Sequence, residues 1–550
     1  MIDGTQILTS AEMRAIESAA IDSGTVTAAG LMERAGAAVF VEIEKRWPQP
    51  GRACVLCGPG HNGGDGYVIA RLLARAGWDV IVLGVPTVSP DAAAMRAKWT
   101  GPVGSLDYPT FYRIGTCDLF VDAVFGTGLT RPLDGEIGDI MRYIGGSGGD
   151  SGYFGPRVVA VDGPSGLCLD SGRLLGQHRS SDYDPYVRLT VTFDSPKPGH
   201  LIGMGPDLCG ELVVADIGLE SWRAKTRPSI TANWPDFNIP DTRRYTTTPE
   251  KRAAWLTKHD EQGHKYTHGH AVIVSGGVAR GGAARLAARG ALRIGAGLVT
   301  LAPPRSALMD AGGPDALMRR GVDDADAFAE LMADERVSAI CLGPGCGVDR
   351  AAALLPVALA SKRPLVLDAD AITAWADSGL PLHGDCVLTP HAGEFARAFP
   401  DLAERWQGPP RPGKRTQDPT HWQAAMAASQ AYRDAMERET GPAYSKLDAA
   451  RDAAARCGAV VVLKGADTVI ATGYHVTIHS AFDVPWLATA GSGDVLAGII
   501  TGLMARRLMP SAAAKTGVQI HGAAARRFGP GLIADDLPDQ IPGVFRDFSA

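Results

Sequence analysis

The chain has 550 residues, 45% apolar and 21% charged, a composition typical of a globular protein with two or three domains. Its 54 basic and 60 acidic side chains give a net charge of −6, which argues against a general nucleic-acid binder. The nine cysteines do not suit a disulfide framework. With no apolar run of about 18 residues and no signal-peptide core, we expect a cytoplasmic protein without a membrane span.

The first half of the chain alternates predicted helices and strands. Thr9 followed by Glu12 predicts a capping box at the start of the first helix, and a second helix is expected over 28–47. A third helix, 66–76, lies between two apolar runs, which predicts a βαβ unit and a parallel sheet. The predicted strands are 53–57, 78–85, 119–126, 158–163 and 210–218.

The alternation breaks down over about 222–269, where Pro, Thr, Arg and charged residues predict a domain boundary. The second half resumes the pattern, with a helix over 282–295, and we expect a second α/β domain there. Its predicted strands are 270–277, 298–304, 339–345, 364–370 and 459–466. The predicted organisation is a first domain over 1–222, a linker over 223–262 and a second domain over 263–550.

A polar insertion over about 404–450 does not fit the second domain's pattern. We interpret it as a solvated surface insertion, because it opens with a Pro- and Gly-rich run and has no phosphate-binding pattern. The alternative is a lid over a bound nucleotide, formed by Arg411, Lys414 or Arg415.

Three glycine-flanked strings in the first half stand at predicted strand ends. They are HNGGDG at 61–66, DAVFGTGL at 122–129 and VDGPSG at 161–166. Ligands of parallel sheets bind at this edge, so the strings should converge. Residues 58–63 also match G-x-G-x-x-G, but no acid ends the next strand to hold a ribose, which disfavours a simple dehydrogenase. Oxygen ligands for a monovalent cation are expected from Asn62, Asp122 and Ser165, which leaves Asp162 as an acid–base or ribose-binding group.

These strings resemble the N-terminal domain of the bifunctional NAD(P)HX epimerase/dehydratase family over roughly 6–220. The resemblance implies a Rossmann-like three-layer domain and a potassium ion at the three cation ligands. His61 departs from the family pattern, which has Asn there, with little expected consequence. The implied substrate contacts are His61, Asn62, Gly63, Gly64, Asp65, Gly126, Thr127, Gly128, Leu129, Thr130, Arg131, Pro132 and Asp162, the last also a catalytic candidate.

A second group of motifs lies in the second half. Residues 490–498, AGSGDVLAG, open a helix whose N–H groups and dipole favour a phosphate, and Asp494 would accept a proton from an attacking hydroxyl there. The string VLKGADT at 462–468 suits a nucleotide phosphate, and TPHAGE at 389–394 offers His391 to a substrate carboxamide or pyrophosphate.

This half resembles the C-terminal, ribokinase-like domain of the same family over about 264–400 and 451–545. The motifs AGLVTLAPP, LGPGCG, DADAI, TPHAGE, LKGADT and TAGSGDVLAGII occur in family order. The resemblance implies that Gly347, His391 and Asp494 hold substrate. It assigns the adenine nucleotide to Lys464, Gly465, Ala466, Asp467, Thr468 and Gly493.

Together the resemblances imply repair of NADHX and NADPHX, the hydrated forms of NADH and NADPH. The first domain would interconvert the R and S epimers, and the second would dehydrate the S form with ADP or ATP, accompanied by Mg2+. We expect a homo-oligomer without nucleic-acid or membrane partners. Two alternatives stay open, which are a small-molecule or vitamin-precursor kinase with a nucleotide-binding first domain and a non-catalytic nucleotide-binding scaffold.

Overall fold

A computed structural model describes residues 6–133, 135–146, 157–176, 187–223, 230–232, 264–309, 312–408 and 422–549. These residues form two compact units, one of residues 6–228 with 409–445 and one of residues 229–408 with 446–550. We call them the first and second unit. The predicted linker lies mostly outside the described residues, and so do Arg411, Lys414 and Arg415. None of the helices described is long and apolar enough to cross a lipid bilayer.

The first unit is built on a parallel sheet with strand order β4-β3-β2-β5-β6-β7-β8. The strands of this sheet are β2 (Arg52–Cys57), β3 (Asp79–Gly84), β4 (Val103–Ser105), β5 (Leu119–Ala123), β6 (Arg157–Val161), β7 (Leu189–Phe193) and β8 (Glu211–Ala215), and a short strand outside it, β1 (Gln6–Ile7), precedes the first helix. The helices are α1 (Ser10–Asp22), α2 (Ala28–Arg46), α3 (His61–Arg75), α4 (Pro90–Lys98), α5 (Tyr108–Arg113), α6 (Gly135–Gly146), α7 (Gly205–Leu208) and α8 (Glu220–Arg223).

Alternate residues of β2 face opposite sides of the sheet, and both sides are buried. Val55 packs with residues of α1, α2 and α3, whereas Cys54 and Leu56 pack with residues of α5 and α6. This arrangement is the expected three-layer α/β fold. The capping box is confirmed, because the Glu12 N–H donates to Thr9 Oγ1 at 3.2 Å and the Thr9 N–H donates to Glu12 Oε2 at 2.8 Å.

The second unit contains a larger sheet with the order β9-β18-β17-β16-β15-β14-β13-β10-β11-β12. Its strands are β9 (Ile230–Ala232), β10 (His270–Val274), β11 (Leu298–Ala302), β12 (Met318–Arg319), β13 (Val337–Leu342), β14 (Leu365–Leu367), β15 (Cys386–Leu388), β16 (Val460–Leu463), β17 (Asp467–Ala471) and β18 (Val476–Ser480). The pairs β16–β17 and β17–β18 are antiparallel, and the other pairs from β10 to β16 are parallel.

Helices cover both faces of this sheet. Successive residues of β10 therefore lie alternately in the apolar core on one face and in the apolar core on the other. The helices of the second unit are α9 (Gly282–Arg293), α10 (Ala325–Met332), α11 (Val348–Ala360), α12 (Asp370–Ser378), α13 (Ala392–Ala398), α14 (Pro400–Gln407), α16 (Lys446–Cys457), α17 (Ser492–Ala505), α18 (Pro510–Phe528) and α19 (Leu537–Ser549). Helix α15 (Trp422–Glu437) lies in the polar insertion and belongs to the first unit.

Three parts of the fold differ from the sequence-based expectation. Helix α3 begins at His61 rather than at residue 66, so the glycines of HNGGDG form its first turns. The sequence did not predict strands β7 and β15, the hairpin of β17 and β18, or the short strands β1, β4, β9 and β12. The insertion is not simply a solvated surface segment, because Ala443 and Ser445 are buried.

Candidate functional site

A cavity of about 370 Å³ lies at the carboxyl edge of the first sheet, where the three glycine-flanked strings converge. Its walls come from α1, α2, the start of α3, and the turns that follow β5 and β6. The sequence did not single out Arg14 and Glu17 of α1, which also line it. The predicted residues along its wall are His61, Asn62, Asp65, Gly126, Thr127, Gly128 and Asp162.

Asp162 is a buried carboxylate held by an ion pair. Lys197 Nζ lies 2.8 Å from Asp162 Oδ1, and the two side chains are 1% and 9% exposed. Thr192 Oγ1 donates to Oδ1 at 2.8 Å, and the Thr127 N–H donates to Oδ2 at 3.0 Å. Burial would raise the pKa of Asp162, but Lys197 and these contacts outweigh it and lower the pKa to about 2. The carboxylate is ionised at neutral pH and can accept, but not donate, a proton.

Two other carboxyls of this cavity have raised pKa values. Burial raises the pKa of Glu17 to about 7, with Lys197 opposing the shift and Asp162 adding to it. Burial, followed by the charges of Asp162 and Glu17, raises the pKa of Asp65 well above its ordinary value. Glu17 therefore titrates where a general acid–base group is most efficient, beside a carboxylate that stays ionised.

Asp122 and Ser165, two of the predicted cation ligands, are in direct contact. Ser165 donates to Asp122 from its hydroxyl at 2.6 Å and from its backbone N–H at 2.7 Å. Burial raises the pKa of Asp122 to about 6, and the hydrogen bonds from Ser165 offset this only in part. Asn62 lines the cavity, and its buried Nδ2 has no hydrogen-bond partner among the described residues.

This oxygen-rich set fits a monovalent cation better than a transition metal. A cation would neutralise the buried Asp122 carboxylate, and carboxylate, hydroxyl and amide oxygens are the ligands that hard cations prefer. Within the described ranges, no three His, Cys, Asp or Glu side chains come together as a metal centre would require.

Several predicted substrate contacts do not line the cavity. A Cβ at Gly63 would lie 2.0 Å from the Gly58 carbonyl oxygen, and one at Gly64 would lie 2.3 Å from Met32 Sδ, so both glycines serve close packing. Leu129 is buried in a small apolar cluster. The three residues after it, Thr130, Arg131 and Pro132, are exposed or half-buried away from the cavity wall.

In the second unit, Lys464 lies in a cluster of polar residues at the carboxyl ends of three strands. It follows β16, and its Nζ lies 2.7 Å from Oδ1 of Asp368, which follows β14. Thr389, which follows β15, donates its hydroxyl to the same Asp368 oxygen at 2.7 Å. Glu394 Oε2 lies 3.9 Å from Lys464 Nζ. The pKa of Lys464 is raised, because Asp368 and Glu394 outweigh the opposing effect of burial.

Asp494 lies in the first turn of α17, whose N-cap is Gly491. Burial, followed by the nearby charge of Asp368, raises the pKa of Asp494 to about 7, and Lys464 opposes the shift. A Cβ at Gly493 would lie 3.1 Å from Lys464 Nζ, so the lysine stands directly over the N-terminus of α17. The arrangement places a carboxyl with a near-neutral pKa beside backbone N–H groups and a cation, as transfer of an anionic group requires.

Lys446 holds the predicted nucleotide loop, residues 464–468, through hydrogen bonds to Asp467. Lys446 Nζ donates to Asp467 Oδ1 at 2.5 Å and to the Asp467 carbonyl at 2.9 Å. Thr468 Oγ1 donates to the Gly465 carbonyl at 2.8 Å. Gly465 and Ala466 are exposed at the tip of the loop. The Asp467 carboxylate is therefore occupied by Lys446, and the tip presents backbone groups to a ligand.

His391 and Gly347 occupy helix starts beside this cluster. His391 Nδ1 accepts from the N–H groups of Gly393 and Glu394 at 3.0 and 3.4 Å, so that nitrogen caps α13. Its side chain is 57% exposed, and Nε2 lies on the other side of the ring. The Gly347 N–H donates to Asp370 Oδ2 at 2.8 Å, and its φ of +86° favours glycine.

Several residues that shape the two sites were not singled out in the sequence. Lys197 follows β7, a strand that was not predicted, and Glu17 lies on a helix without a motif. Asp368 stands inside DADAI at a strand end, which was the available signal. Lys446 falls within the insertion, where the polar composition gave no indication of a structural role.

Two family models cover most of the chain. One, described as NAD(P)H-hydrate dehydratase, matches residues 271–541, and one described as YjeF-related protein N-terminus matches residues 28–199. The first match contains the cluster around Lys464 and Asp494, and the second contains Asn62, Asp122 and Asp162.

Full-length relatives are similar over both units. A bifunctional NAD(P)H-hydrate repair enzyme Nnr of Coxiella burnetii is 32% identical, with 96% of each chain covered. Enzymes of the same name are 33% identical in Moorella thermoacetica, with 98% of this chain and 97% of that one covered, and 31% identical in Escherichia coli, with 96% and 91% covered. An ADP/ATP-dependent NAD(P)H-hydrate dehydratase structure from Bacillus subtilis is 25% identical, covering 57% of this chain and all of that one, with a TM-score of 0.41.

Proposed function

The chain belongs to the bifunctional NAD(P)H-hydrate repair enzyme family, and we propose that it divides this repair between its two domains. The domain over 1–222 epimerises R and S forms of NADHX and NADPHX. The domain over 263–550 dehydrates the S form with consumption of ADP or ATP. The observation that carries the proposal is the group around Asp494, where an acid of near-neutral pKa, a lysine and a helix N-terminus converge.

For dehydration, Asp494 accepts the proton of the C6 hydroxyl as that oxygen attacks the terminal phosphoryl group of the nucleotide. Lys464 and the N–H groups of α17 stabilise the charge on that phosphoryl group. The lone pair of the ring nitrogen then expels phosphate from C6, and loss of the C5 proton restores the dihydropyridine ring. Mg2+ would enter with the nucleotide and neutralise its phosphate charge.

For epimerisation, the C6 hydroxyl loses its proton as the C6–N1 bond breaks, which leaves C6 as a planar carbonyl carbon and N1 protonated, and ring closure on the opposite face reverses both proton transfers. Asp162 and Lys197 supply a fixed charged pair beside the cavity. Glu17 is the group we assign to proton movement, because its pKa is about 7. A potassium ion at Asp122, Ser165 and Asn62 would supply positive charge that holds the turn after β5.

Purified protein incubated with hydrated NADH and either ADP or ATP tests the proposal. We expect recovery of the absorbance of the reduced nicotinamide ring, complete only when both epimers are consumed. A vitamin-precursor kinase would instead release a stable phosphorylated product without this recovery. A binding scaffold would give neither signal, and either result would contradict the proposal.

Replacing Glu17 by glutamine is expected to lower the epimerisation rate by about 10²-fold or more, because the amide cannot carry the proton. The inflection near pH 7 in the rate profile should disappear with it. The control is Glu12→Gln, which changes a half-buried carboxyl of the same helix to an amide that can still accept from the Thr9 N–H, and it should keep the inflection. A variant profile like that of the wild type would exclude Glu17 from proton transfer.

Potassium is expected to stabilise the first unit and to support epimerisation. Exchange of potassium for a large organic cation should lower both the epimerisation rate and the unfolding temperature of this unit. In Asp122→Asn, which lacks the carboxylate, the two salts should give the same result. A wild-type protein indifferent to the salt would contradict the cation site.

A further inference from the structure

The polar insertion contributes a segment, residues 439–445, that packs in the first unit. We propose that this segment is a positioning element of the epimerase site, which fixes the turn 126–132, whose first three residues line the cavity. The inference rests on the proposed epimerase function. Its physical basis is four contacts of this segment with residues about 260–310 positions earlier in the sequence.

The turn has two differently anchored halves. Its first half belongs to the active site, since the Thr127 N–H donates to Asp162 Oδ2 at 3.0 Å and Arg14 Nη1 donates to the Thr127 carbonyl at 3.1 Å. Its second half contacts the insertion instead. The Gly441 N–H donates to the Thr130 carbonyl at 2.9 Å. The Leu129 N–H donates to the Gly126 carbonyl at 3.1 Å, so displacement of the second half would also move the residues that line the cavity.

An apolar contact and an ionic contact hold the segment in place. Ala443 is buried in a cluster with Leu129, Cys168 and Leu175. Glu439 Oε2 accepts from the Gly176 N–H at 3.1 Å, and Glu439 Oε1 lies 2.8 Å from Arg173 Nη2 as an ion pair without hydrogen-bond geometry. The Glu439 side chain is only 10% exposed, so solvent weakens these contacts little.

Gly441 shows how closely the segment approaches the turn. A Cβ at this position would lie 2.7 Å from the Leu129 carbonyl oxygen and 3.4 Å from Thr130 Cα. Both are backbone atoms, so Gly441→Ala forces either the turn or the segment to move.

The test compares Glu439→Ala with the neighbouring control Thr440→Ala, whose side chain is exposed. In the first variant we expect the KM of epimerisation to rise several-fold, with kcat and the kinetics of dehydration nearly unchanged. Amide exchange at Leu129 and Gly441 should become about tenfold faster or more, because one buried charged contact is lost. Glu439→Gln keeps an acceptor for the Gly176 N–H, so its KM and exchange rates should lie between those of the wild type and Glu439→Ala. Gly441→Ala should change both quantities as Glu439→Ala does.

Wild-type KM and exchange rates in Glu439→Ala would overturn the inference. So would an equal loss of both activities together with a lower unfolding temperature, because that pattern indicates general destabilisation. If the wild-type protein lacks epimerase activity, the proposed function fails. Exchange at Leu129 then still decides whether the segment fixes the turn.

Discussion

Replacing Asp494 by asparagine is expected to lower the rate of dehydration by about 10²–10⁴-fold, the usual cost of losing a positioned general base. Asparagine has the shape of aspartate but cannot accept the hydroxyl proton. Burial and the charge of Asp368 bring the pKa of Asp494 to about 7. The wild-type rate should therefore rise as the pH increases through this value, because only the ionised carboxylate is a base.

Epimerisation should be unchanged in Asp494→Asn, because the residues assigned to it lie in the first unit. The measurement supplies the S epimer with ADP and follows the absorbance of the reduced ring, while loss of the R epimer is followed separately. Asp377→Asn is the matched control, since Asp377 is an exposed carboxyl of the same unit. Near wild-type dehydration in Asp494→Asn would remove Asp494 from the mechanism.

The predicted site residues that the structure brings together stand in continuous motifs at strand ends. Asp494, Lys464, Asp122 and Ser165 belong to short strings, and the carboxyl edges of the two parallel sheets bring these strings together. A local pattern was enough because neighbouring parallel strands end at the same edge. The two α/β domains were predictable for the same reason, since their apolar runs alternate with helical segments.

Contacts between residues far apart in sequence were not predictable in this way. The Lys197 ammonium reaches Asp162 across 35 positions, and its strand β7 was not recognised between polar stretches. The glycines at 63 and 64 match a ligand-binding pattern, yet glycine is needed there because a side chain would collide with Gly58 or Met32. Hydrophobic periodicity describes neither case, because each depends on which atoms meet after folding.

The insertion illustrates the same limit on a larger scale. Its polar composition predicted a solvated segment, but Ala443 packs against Leu129 and Leu175, more than 250 positions earlier. A few apolar residues in a polar segment carry little weight in composition, although they determine where the segment packs. Its place in the second domain's sequence also obscured its packing in the first unit.

Replacing Lys197 by methionine is expected to lower the free energy of unfolding of the first unit by about 3–5 kcal/mol, because it leaves the buried Asp162 carboxylate without its partner. The matched control is Lys98→Met. Lys98 Nζ also lies 2.8 Å from a carboxylate, that of Glu33, but the two side chains are 47% and 34% exposed. An exposed pair of this kind contributes at most about 1 kcal/mol.

The pH dependence separates the charge of Asp162 from simple loss of packing. The folded-state pKa of Asp162, about 2, lies below the value of about 3.9 for an unfolded aspartate. Its ion pair therefore stabilises the first unit above pH 4, and this contribution is lost as the pH falls towards 2. The stability difference between wild type and Lys197→Met should be largest near neutral pH and shrink below pH 4. A difference that stays constant from pH 7 to pH 3 would mean that Lys197 acts by packing, and the charged pair would have no part in holding Asp162 ionised for epimerisation.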